Sequence, residues 1–216
     1  MTEKLFYGNG PLEANVIVKD CRELPDGTFA VILDKTPFHP KGGGQPSDIG
    51  CIDNIQVKAV VETESGEILH ISDAPIELGT KIARVDEASR VLNTRLHSAS
   101  HLISSFIESR GDWKVIKGNS FPGQARLYFV PKKAGAPVPS VEEISEFLET
   151  IVKENLPLKE TIDPMTGSRF ITWGDLKGYP CGGTHVSSTG KLGLVVLTKF
   201  RIKKGELHVN FDVKEE

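Results

Sequence analysis

The sequence predicts an α+β protein, in which a small N-terminal β-barrel-like domain precedes an α+β domain. Short β-prone runs separated by turn signals fill the first part of the chain, whereas apolar residues adopt helical spacing soon after Asp86. Strand-like runs return near the end of the chain. We place the boundary within Val85–Ser89, which gives predicted domains of residues 1–87 and 88–216.

The prediction of a barrel-like domain is based on short runs rich in β-branched and aliphatic residues. The predicted strands are Ala14–Val18, Phe29–Leu33, Gln56–Val61 and Glu67–Ile71. Turn signals, Pro25-Asp26-Gly27 and Ser65-Gly66, lie between neighbouring runs. Strands this short and regularly spaced are typical of a small barrel or a sandwich.

The remaining part predicts two helices. Ser89–Arg110 has apolar residues at helical spacing and is followed by Gly111, a plausible stop. Ser140–Asn155 carries a second apolar stripe, and Ser140 with Glu143 forms a capping-box pattern at its start. The predicted final strands are Leu192–Lys199 and Glu206–Val213.

Composition limits the classes of protein to consider. The chain has 216 residues, of which 38% are hydrophobic and 25% charged, as in ordinary globular proteins. We expect no signal peptide, because Met1–Leu5 is not a basic segment followed by an apolar one. We expect no membrane span, because no apolar run approaches about 18 residues. Three widely spaced cysteines suit a reducing cytoplasm. The net charge of −3 argues against a general DNA-binding protein but permits a local basic patch for RNA.

Two short His/Cys clusters predict a metal site. His97 and His101 are four residues apart and share a face of the predicted helix. Cys181 and His185 flank two glycines, which favours a loop. Either cluster alone has an ordinary explanation, a helix surface or a buried small thiol, but together they form a ligand set suited to one zinc ion per chain. Whether such a zinc is structural or catalytic stays open at this point.

A glycine-rich segment is the second unusual feature. Gly42, Gly43 and Gly44 precede Gln45, and a permissive backbone of this kind lets a ligand approach closely. Taken alone, the segment is also compatible with a flexible loop between strands, and it lacks the ending of a P-loop. We expect His39, nearby, to face solvent rather than to bind a metal.

Four segments resemble the editing domain of alanyl-tRNA synthetase and its stand-alone relatives, the AlaX proteins of medium length. They are Asp34–Gly50, Arg95–Leu102, Lys117–Asn119 and Cys181–Val186. Their order matches, and the resemblance extends over nearly the whole chain, without the long aminoacylation domain. In this family a tyrosine often stands where this chain has His39.

The resemblance implies trans-editing, in which the ester bond that joins a wrongly attached serine or glycine to tRNA(Ala) is hydrolysed. It also implies that the acceptor end of this tRNA is the binding partner. It implies zinc ligation by His97, His101, Cys181 and His185. For substrate binding we expect Gly42, Gly43, Gly44, Gln45 and Lys117. A hydroxyl near zinc that pairs with the serine hydroxyl would reject alanine, and the candidates are Ser98, Ser100 and Thr184, each equally able to bond the backbone.

Two further points stay open in the sequence. Cations gather in two regions, where they either meet RNA phosphates or form an ordinary solvated surface. They are Lys114, Lys117, Arg126, Lys132, Lys133, Lys199, Arg201, Lys203 and Lys204. The alternative function is a zinc-stabilised tRNA-binding module without turnover. A zinc peptidase is disfavoured, because Ser98 stands where a His-Glu-x-x-His motif has its glutamate.

Overall fold

The computed structural model describes residues 2–8 and 10–214. The chain divides into two compact units, Met1–Val91 and Leu92–Glu216. Strands dominate the first unit, and the second combines helices with two sheets, so the α+β class is confirmed. The division falls inside the first long helix, and the functional assignment of residues 1–87 and 88–216 stays a prediction.

The first unit is built on a closed barrel. Its strands are β2 (Glu13–Glu23), β3 (Phe29–Leu33), β5 (Gly50–Ile52), β6 (Ile55–Glu62), β7 (Ile68–Ser72) and β8 (Gly79–Val85). Two further short strands, β1 (Glu3–Lys4) and β4 (Lys35–Thr36), pair in parallel with each other. The barrel closes in the order β2-β3-β7-β6-β5-β8. Inward residues such as Val16, Val31 and Val57 are buried in its core, which is why the β-branched runs fold this way.

All four predicted strands of this unit are confirmed, whereas β5 and β8 were not predicted. β5 has only three residues and begins with a glycine, and the charged residues Lys81 and Arg84 interrupt the apolar pattern of β8. They are strands because they pair with each other and close the barrel, which is a non-local cause.

His70 is a buried polar group in this barrel. Its Nδ1 lies 3.1 Å from the carbonyl oxygen of Val31 and its Nε2 lies 2.7 Å from Thr36 Oγ1. Because a carbonyl only accepts, Nδ1 carries the proton and Nε2 accepts from the threonine hydroxyl. Burial lowers the pKa of His70 from 6.5 to about 4.

We expect His70 to make folding stability depend on pH. In the unfolded chain its imidazole takes up a proton below the ordinary pKa, whereas in the folded chain it does not, so its contribution is complete above about pH 6.5 and is lost as pH falls toward about 4. Between pH 7 and pH 5 the wild type should lose about 2 kcal/mol more unfolding free energy than His70→Gln. Urea unfolding at both pH values measures this difference, and equal losses would contradict the assignment.

The second unit contains two antiparallel sheets. The strands of the larger are β9 (Trp113–Asn119), β10 (Arg126–Pro131), β14 (Leu194–Lys203) and β15 (Glu206–Lys214), in the order β14-β15-β10-β9. The strands of the smaller are β11 (Leu158–Ile162), β12 (Arg169–Trp173) and β13 (Tyr179–Pro180), in sequence order. Both predicted final strands are confirmed, while the pairing of β9 with β10 was not foreseen.

The two helices pack on this unit's core. Helix α1 (Glu87–Ser109) buries Leu96, Ala99 and Ile103 against the same apolar cluster as Ile144 and Leu148 of α2 (Val141–Glu154). The predicted bounds are correct to within two residues. Within the described residues, neither helix combines the length and apolar character needed to cross a membrane.

The capping box of α2 is confirmed. Ser140 Oγ accepts from the Glu143 backbone N–H at 3.1 Å, and the Ser140 N–H donates to Glu143 Oε2 at 2.7 Å. The helix ends at Asn155, whose left-handed φ of 49° reverses the chain.

The glycine-rich segment forms a tight turn. Gly42 and Gln45 exchange two backbone hydrogen bonds of 3.2 and 2.9 Å, and the intervening Gly43 and Gly44 have φ values of 57° and 84°. A two-residue hairpin turn requires two consecutive residues in the left-handed region, so the turn geometry alone explains why both positions are glycine.

The prediction that His39 faces solvent is also wrong, since the residue is buried with 2% exposure. Its backbone N–H donates to Asp48 Oδ2 at 2.6 Å, and its carbonyl accepts from the Asp48 N–H at 2.9 Å. The Phe6 ring packs edge-on against it with 5.2 Å between centroids. These contacts draw the loop inward, and burial lowers the pKa of His39 to about 4, so it is neutral at pH 7.

Candidate metal centre

Helix α1 supplies the first half of the centre. His97 and His101 are one helical turn apart, and their Nε2 atoms lie 3.2 Å from each other. The His97 side chain is buried, and His101 is partly buried. The prediction that both imidazoles lie on one face of the helix and reach the same point is therefore confirmed.

An irregular loop after β13 supplies the second half, Cys181 and His185. Arg169 holds this loop: its Nη1 donates to the carbonyl oxygens of Cys181 and Gly183 at 3.0 and 2.9 Å. Its remaining guanidinium nitrogens form a two-pronged pair with Glu160, at 2.6 and 3.2 Å. Sequence reasoning missed Arg169, because no local pattern connects it with residues that lie 12 and 14 positions later.

The two halves converge. The ligand atoms of His97, His101, Cys181 and His185 all lie within 4.8 Å of one another, and Cys181 Sγ lies 3.5 Å from His97 Nε2. A tetrahedral zinc ion with nitrogen at about 2.0 Å and sulfur at about 2.3 Å would place ligand atoms roughly 3.3–3.6 Å apart. This cluster could hold a metal ion, and its donor set of three imidazoles and a thiol suits zinc.

Burial sets the protonation of the ligands. Desolvation, with a smaller effect from the charge of Arg169, lowers the pKa of His101 to about 4, so its imidazole is neutral and able to bind a metal at pH 7. Burial raises the pKa of the Cys181 thiol, while the Gly183 N–H and Arg169 act in the opposite direction. The Gly183 N–H approaches the sulfur at 3.4 Å, a contact that stabilises a thiolate.

A polar network supports His101 from the side. The ring of Tyr179 lies 5.2 Å from that of His101, and the tyrosine hydroxyl donates to Glu108 Oε2 at 2.8 Å. Glu108 also pairs with Lys177 and accepts from the Val115 N–H at 2.9 Å. Burial and the neighbouring Glu108 raise the pKa of Tyr179, which therefore stays a hydrogen-bond donor. Nothing local in the sequence indicated this network.

The three candidate hydroxyls have different surroundings. Ser98 Oγ donates to the Thr94 carbonyl at 2.8 Å and accepts from the Val186 N–H at 3.0 Å, so it fastens α1 to the loop of the centre. Ser100 Oγ donates to the His97 carbonyl at 2.7 Å. Thr184 Oγ1 lies 2.7 Å from Thr94 Oγ1, which makes a hydroxyl pair next to the ligand His185.

The residues predicted to bind substrate lie in both units. Lys117 is exposed on β9 of the second unit. Gly42 and Gly43 are exposed and Gly44 partly so, whereas the Gln45 side chain is buried. Their role in substrate binding stays a prediction.

A separate groove occurs between α2 and β14. It has a volume of about 440 Å³ and is lined by apolar residues such as Leu148, Val152 and Leu197. None of the four residues of the His/Cys cluster lines it. The candidate centre is therefore defined by its ligands and not by this groove.

Known proteins are similar to this chain in sequence. Residues 168–207, which include Cys181 and His185, match the family described as the threonyl and alanyl tRNA synthetase second additional domain. AlaX-M of Pyrococcus horikoshii, an alanyl-tRNA editing protein, is 28% identical over 89% of this chain and 88% of its own length. The chain is a homologue of the AlaX alanyl-tRNA editing proteins. This match covers most of AlaX-M, in line with the medium form that the sequence predicts.

Longer relatives match as well. AlaX-L of Pyrococcus horikoshii is 28% identical over 96% of this chain, and the alanine–tRNA ligase of Cenarchaeum symbiosum is 31% identical over 97%. The chain spans 56% of that AlaX-L and 25% of that ligase. The AlaX homology therefore concerns one region of these longer proteins.

Proposed function

We propose that this AlaX homologue is a zinc-dependent aminoacyl-tRNA deacylase of the cytoplasm, which removes serine and glycine wrongly attached to tRNA(Ala). The observation that carries the proposal is the convergence of His97, His101, Cys181 and His185 in a chain homologous to alanyl-tRNA editing proteins. The choice of tRNA(Ala) as substrate rests on this homology, whereas the metal dependence rests on the cluster itself.

The protein's own residues would hold and orient the metal. A bound zinc ion would supply Lewis-acid chemistry, which can polarise the ester carbonyl and acidify a nearby water. Arg169 fixes the loop that carries Cys181, and Tyr179 packs beside His101. Supporting contacts of this kind set ligand orientation and commonly change metal affinity or activity by about 10–100-fold.

The choice of amino acid would fall to the hydroxyl pair of Thr94 and Thr184. A site that hydrogen-bonds the serine hydroxyl leaves its own polar group unpaired when alanine binds, and this asymmetry allows strong discrimination. Thr184 adjoins His185, while Ser98 and Ser100 are committed to backbone contacts that shape the centre. We therefore favour Thr184 among the three hydroxyls that the sequence suggests.

Side-by-side hydrolysis of three substrates tests the function. Metal-loaded protein should deacylate Ser-tRNA(Ala) and Gly-tRNA(Ala) and leave Ala-tRNA(Ala) largely intact. Equal rates on the serine and alanine substrates would contradict the proposed specificity. Tight tRNA binding with no hydrolysis of any of the three would favour the alternative, a zinc-stabilised binding module.

The glycine-rich turn can be tested at Gly42. We propose that Gly42, Gly43, Gly44 and Gln45 contact the substrate. Gly43 is unsuitable for the test, because its φ of 57° would add strain of roughly 1–2 kcal/mol to any branched residue. Gly42 has open space where a side chain would begin, and its backbone has no left-handed requirement.

We expect Gly42→Val to slow deacylation of Ser-tRNA(Ala) roughly tenfold, a loss of about 1.4 kcal/mol in the transition state, because the side chain would obstruct the approach of substrate. The unfolding midpoint should stay unchanged. An unaltered kcat/KM for the serine substrate would exclude a close contact with this turn.

A further inference from the structure

The register of the larger sheet brings scattered cations onto one side. Lys117 pairs with Tyr128, which pairs with His208, which pairs with Arg201. Directly paired residues in neighbouring strands point to the same side of a sheet, so this row crosses all four strands. A second row parallel to it joins Arg126 to Lys199 through Asn210.

The opposite side of this sheet is the core. Leu127, Val209 and Phe211 are buried there with the helices. The row residues alternate with these core residues along their strands, so they point away from the core. Six exposed cations of β9, β10 and β14 share this outward side, and we call them the basic face: Lys114, Lys117, Arg126, Lys199, Arg201 and Lys203.

The charge of this face differs from that of the chain. On the same side of the sheet β15 contributes two carboxylates, Glu206 and Asp212, and one further cation, Lys214, beside the six cations of the basic face. The whole chain has a net charge of −3. Within residues 2–8 and 10–214, the ion pairs found involve none of the six cations. Their charges are therefore not neutralised inside the protein.

Aromatic rings order part of the basic face. Lys117 Nζ lies 5.1 Å from the centre of the Tyr128 ring, and the Arg126 guanidinium carbon lies 5.9 Å from it. His208 packs edge-on against the same ring at 4.6 Å. These cation–π contacts limit the rotamers of the long side chains, which lowers the entropy lost on binding an anion.

A short chain of contacts connects the basic face with the metal centre. Val115, between Lys114 and Lys117 on β9, donates its N–H to Glu108. Glu108 accepts from Tyr179, and the Tyr179 ring lies beside that of His101. The β9 edge of the face is therefore only a few contacts from the ligands.

We propose that the basic face binds the sugar-phosphate backbone of RNA, namely the acceptor end of the tRNA substrate. This inference rests on the proposed function for the identity of the RNA. Three strand spacings give the face a width of about 14 Å, enough for several phosphates. Exposed, unneutralised lysines and arginines spaced along strands are suited to phosphates, and such contacts hold RNA without reading its sequence.

Binding of uncharged tRNA(Ala) to the full chain tests the face without any turnover. The test variant is Lys199→Ala/Arg201→Ala, which removes two cations from the basic face. The control is Lys153→Ala/Lys191→Ala, which removes two exposed cations of the same unit that lie on α2 and on the short turn at Thr189–Lys191, outside the larger sheet. Affinity is measured by fluorescence anisotropy over a series of KCl concentrations, after circular dichroism has shown that both variants fold.

We expect the test variant to lose roughly tenfold in affinity and about two units of slope in the plot of log K against log salt, with the control unchanged. No binding of uncharged tRNA by the wild type, or equal losses in both variants, would overturn the inference. Polyglutamate that binds as tightly as RNA would overturn it too, since it would indicate an acidic protein partner. The two proposals can fail separately. If only the test variant loses RNA binding, while the wild type deacylates none of the three aminoacyl-tRNAs, the proposed function is refuted and the RNA-binding face is supported.

Discussion

Replacing Cys181 with serine should abolish metal binding and reduce the deacylation of Ser-tRNA(Ala) by at least about 100-fold. A hydroxyl does not ionise near neutral pH, so the variant loses the single thiolate that the cluster offers. Loss of an outer contact to a ligand already changes affinity or activity by about 10–100-fold, and loss of the ligand itself should exceed this. Zinc content after dialysis, expected near one per chain in the wild type, should fall below about a tenth.

Cys51→Ser is the matched control. Cys51 is also partly buried and carries a free thiol, but it lies in β5 of the barrel and outside the His/Cys cluster. Its zinc content and deacylation rate should equal those of the wild type. A Cys181→Ser protein that keeps both full zinc and full activity would remove Cys181 from the centre.

Replacing Asp48 with alanine should destabilise the protein by about 3–5 kcal/mol. Asp48 and Arg90 form an ion pair in the first unit, and both side chains are buried. Arg90 Nε lies 3.0 Å from each carboxylate oxygen, and Nη2 also donates to the Pro37 carbonyl at 2.7 Å. Without the carboxylate, a buried guanidinium keeps one backbone partner, and the His39 N–H loses its acceptor.

An exposed pair serves as the control for Asp48→Ala. Glu13 and Arg84 are paired on the neighbouring strands β2 and β8, 2.6 Å apart, but their side chains are 59% and 45% exposed. Glu13→Ala should therefore change the unfolding free energy by less than about 1 kcal/mol. Urea titrations measure the unfolding free energy of each variant. A loss below about 1 kcal/mol for Asp48→Ala would mean that solvent reaches the ion pair. The double variant Asp48→Ala/Arg90→Met should recover part of the unfolding free energy that Asp48→Ala loses, because it also removes the unpaired buried charge.

The features that the sequence predicted correctly depend on local spacing. The interval from His97 to His101 fixes their common side on any helix, and the interval from Ser140 to Glu143 defines a capping box before any tertiary contact forms. The apolar runs likewise predicted Phe29–Leu33 as a strand. In each case a few neighbouring residues contain the information.

The features that were missed or wrong depend on distant partners. Arg169 and Tyr179 acquire their roles only when β12, β13 and α1 come together, and no pattern in the sequence marks them. His39 lies in a loop, yet the Asp48 carboxylate binds its backbone and draws it inside.

The basic face belongs to the same class of feature. The sequence shows its cations, but only the pairing of Lys117 with Tyr128 and of Arg201 with His208 reveals that they share one side of a sheet. Strand register is set by long-range pairing, which explains why sequence reasoning left two alternatives for these residues.

The most direct test of the central claim, that the His/Cys cluster supports metal-dependent deacylation, is the single-turnover rate on Ser-tRNA(Ala) before metal removal, after it, and after zinc is restored. We expect the rate to fall at least about 100-fold when a chelator removes the metal, and to recover with one zinc per chain. Circular dichroism of the metal-free protein distinguishes a lost reaction from a lost fold. A metal-free, folded protein that hydrolyses Ser-tRNA(Ala) at the full rate would contradict the account.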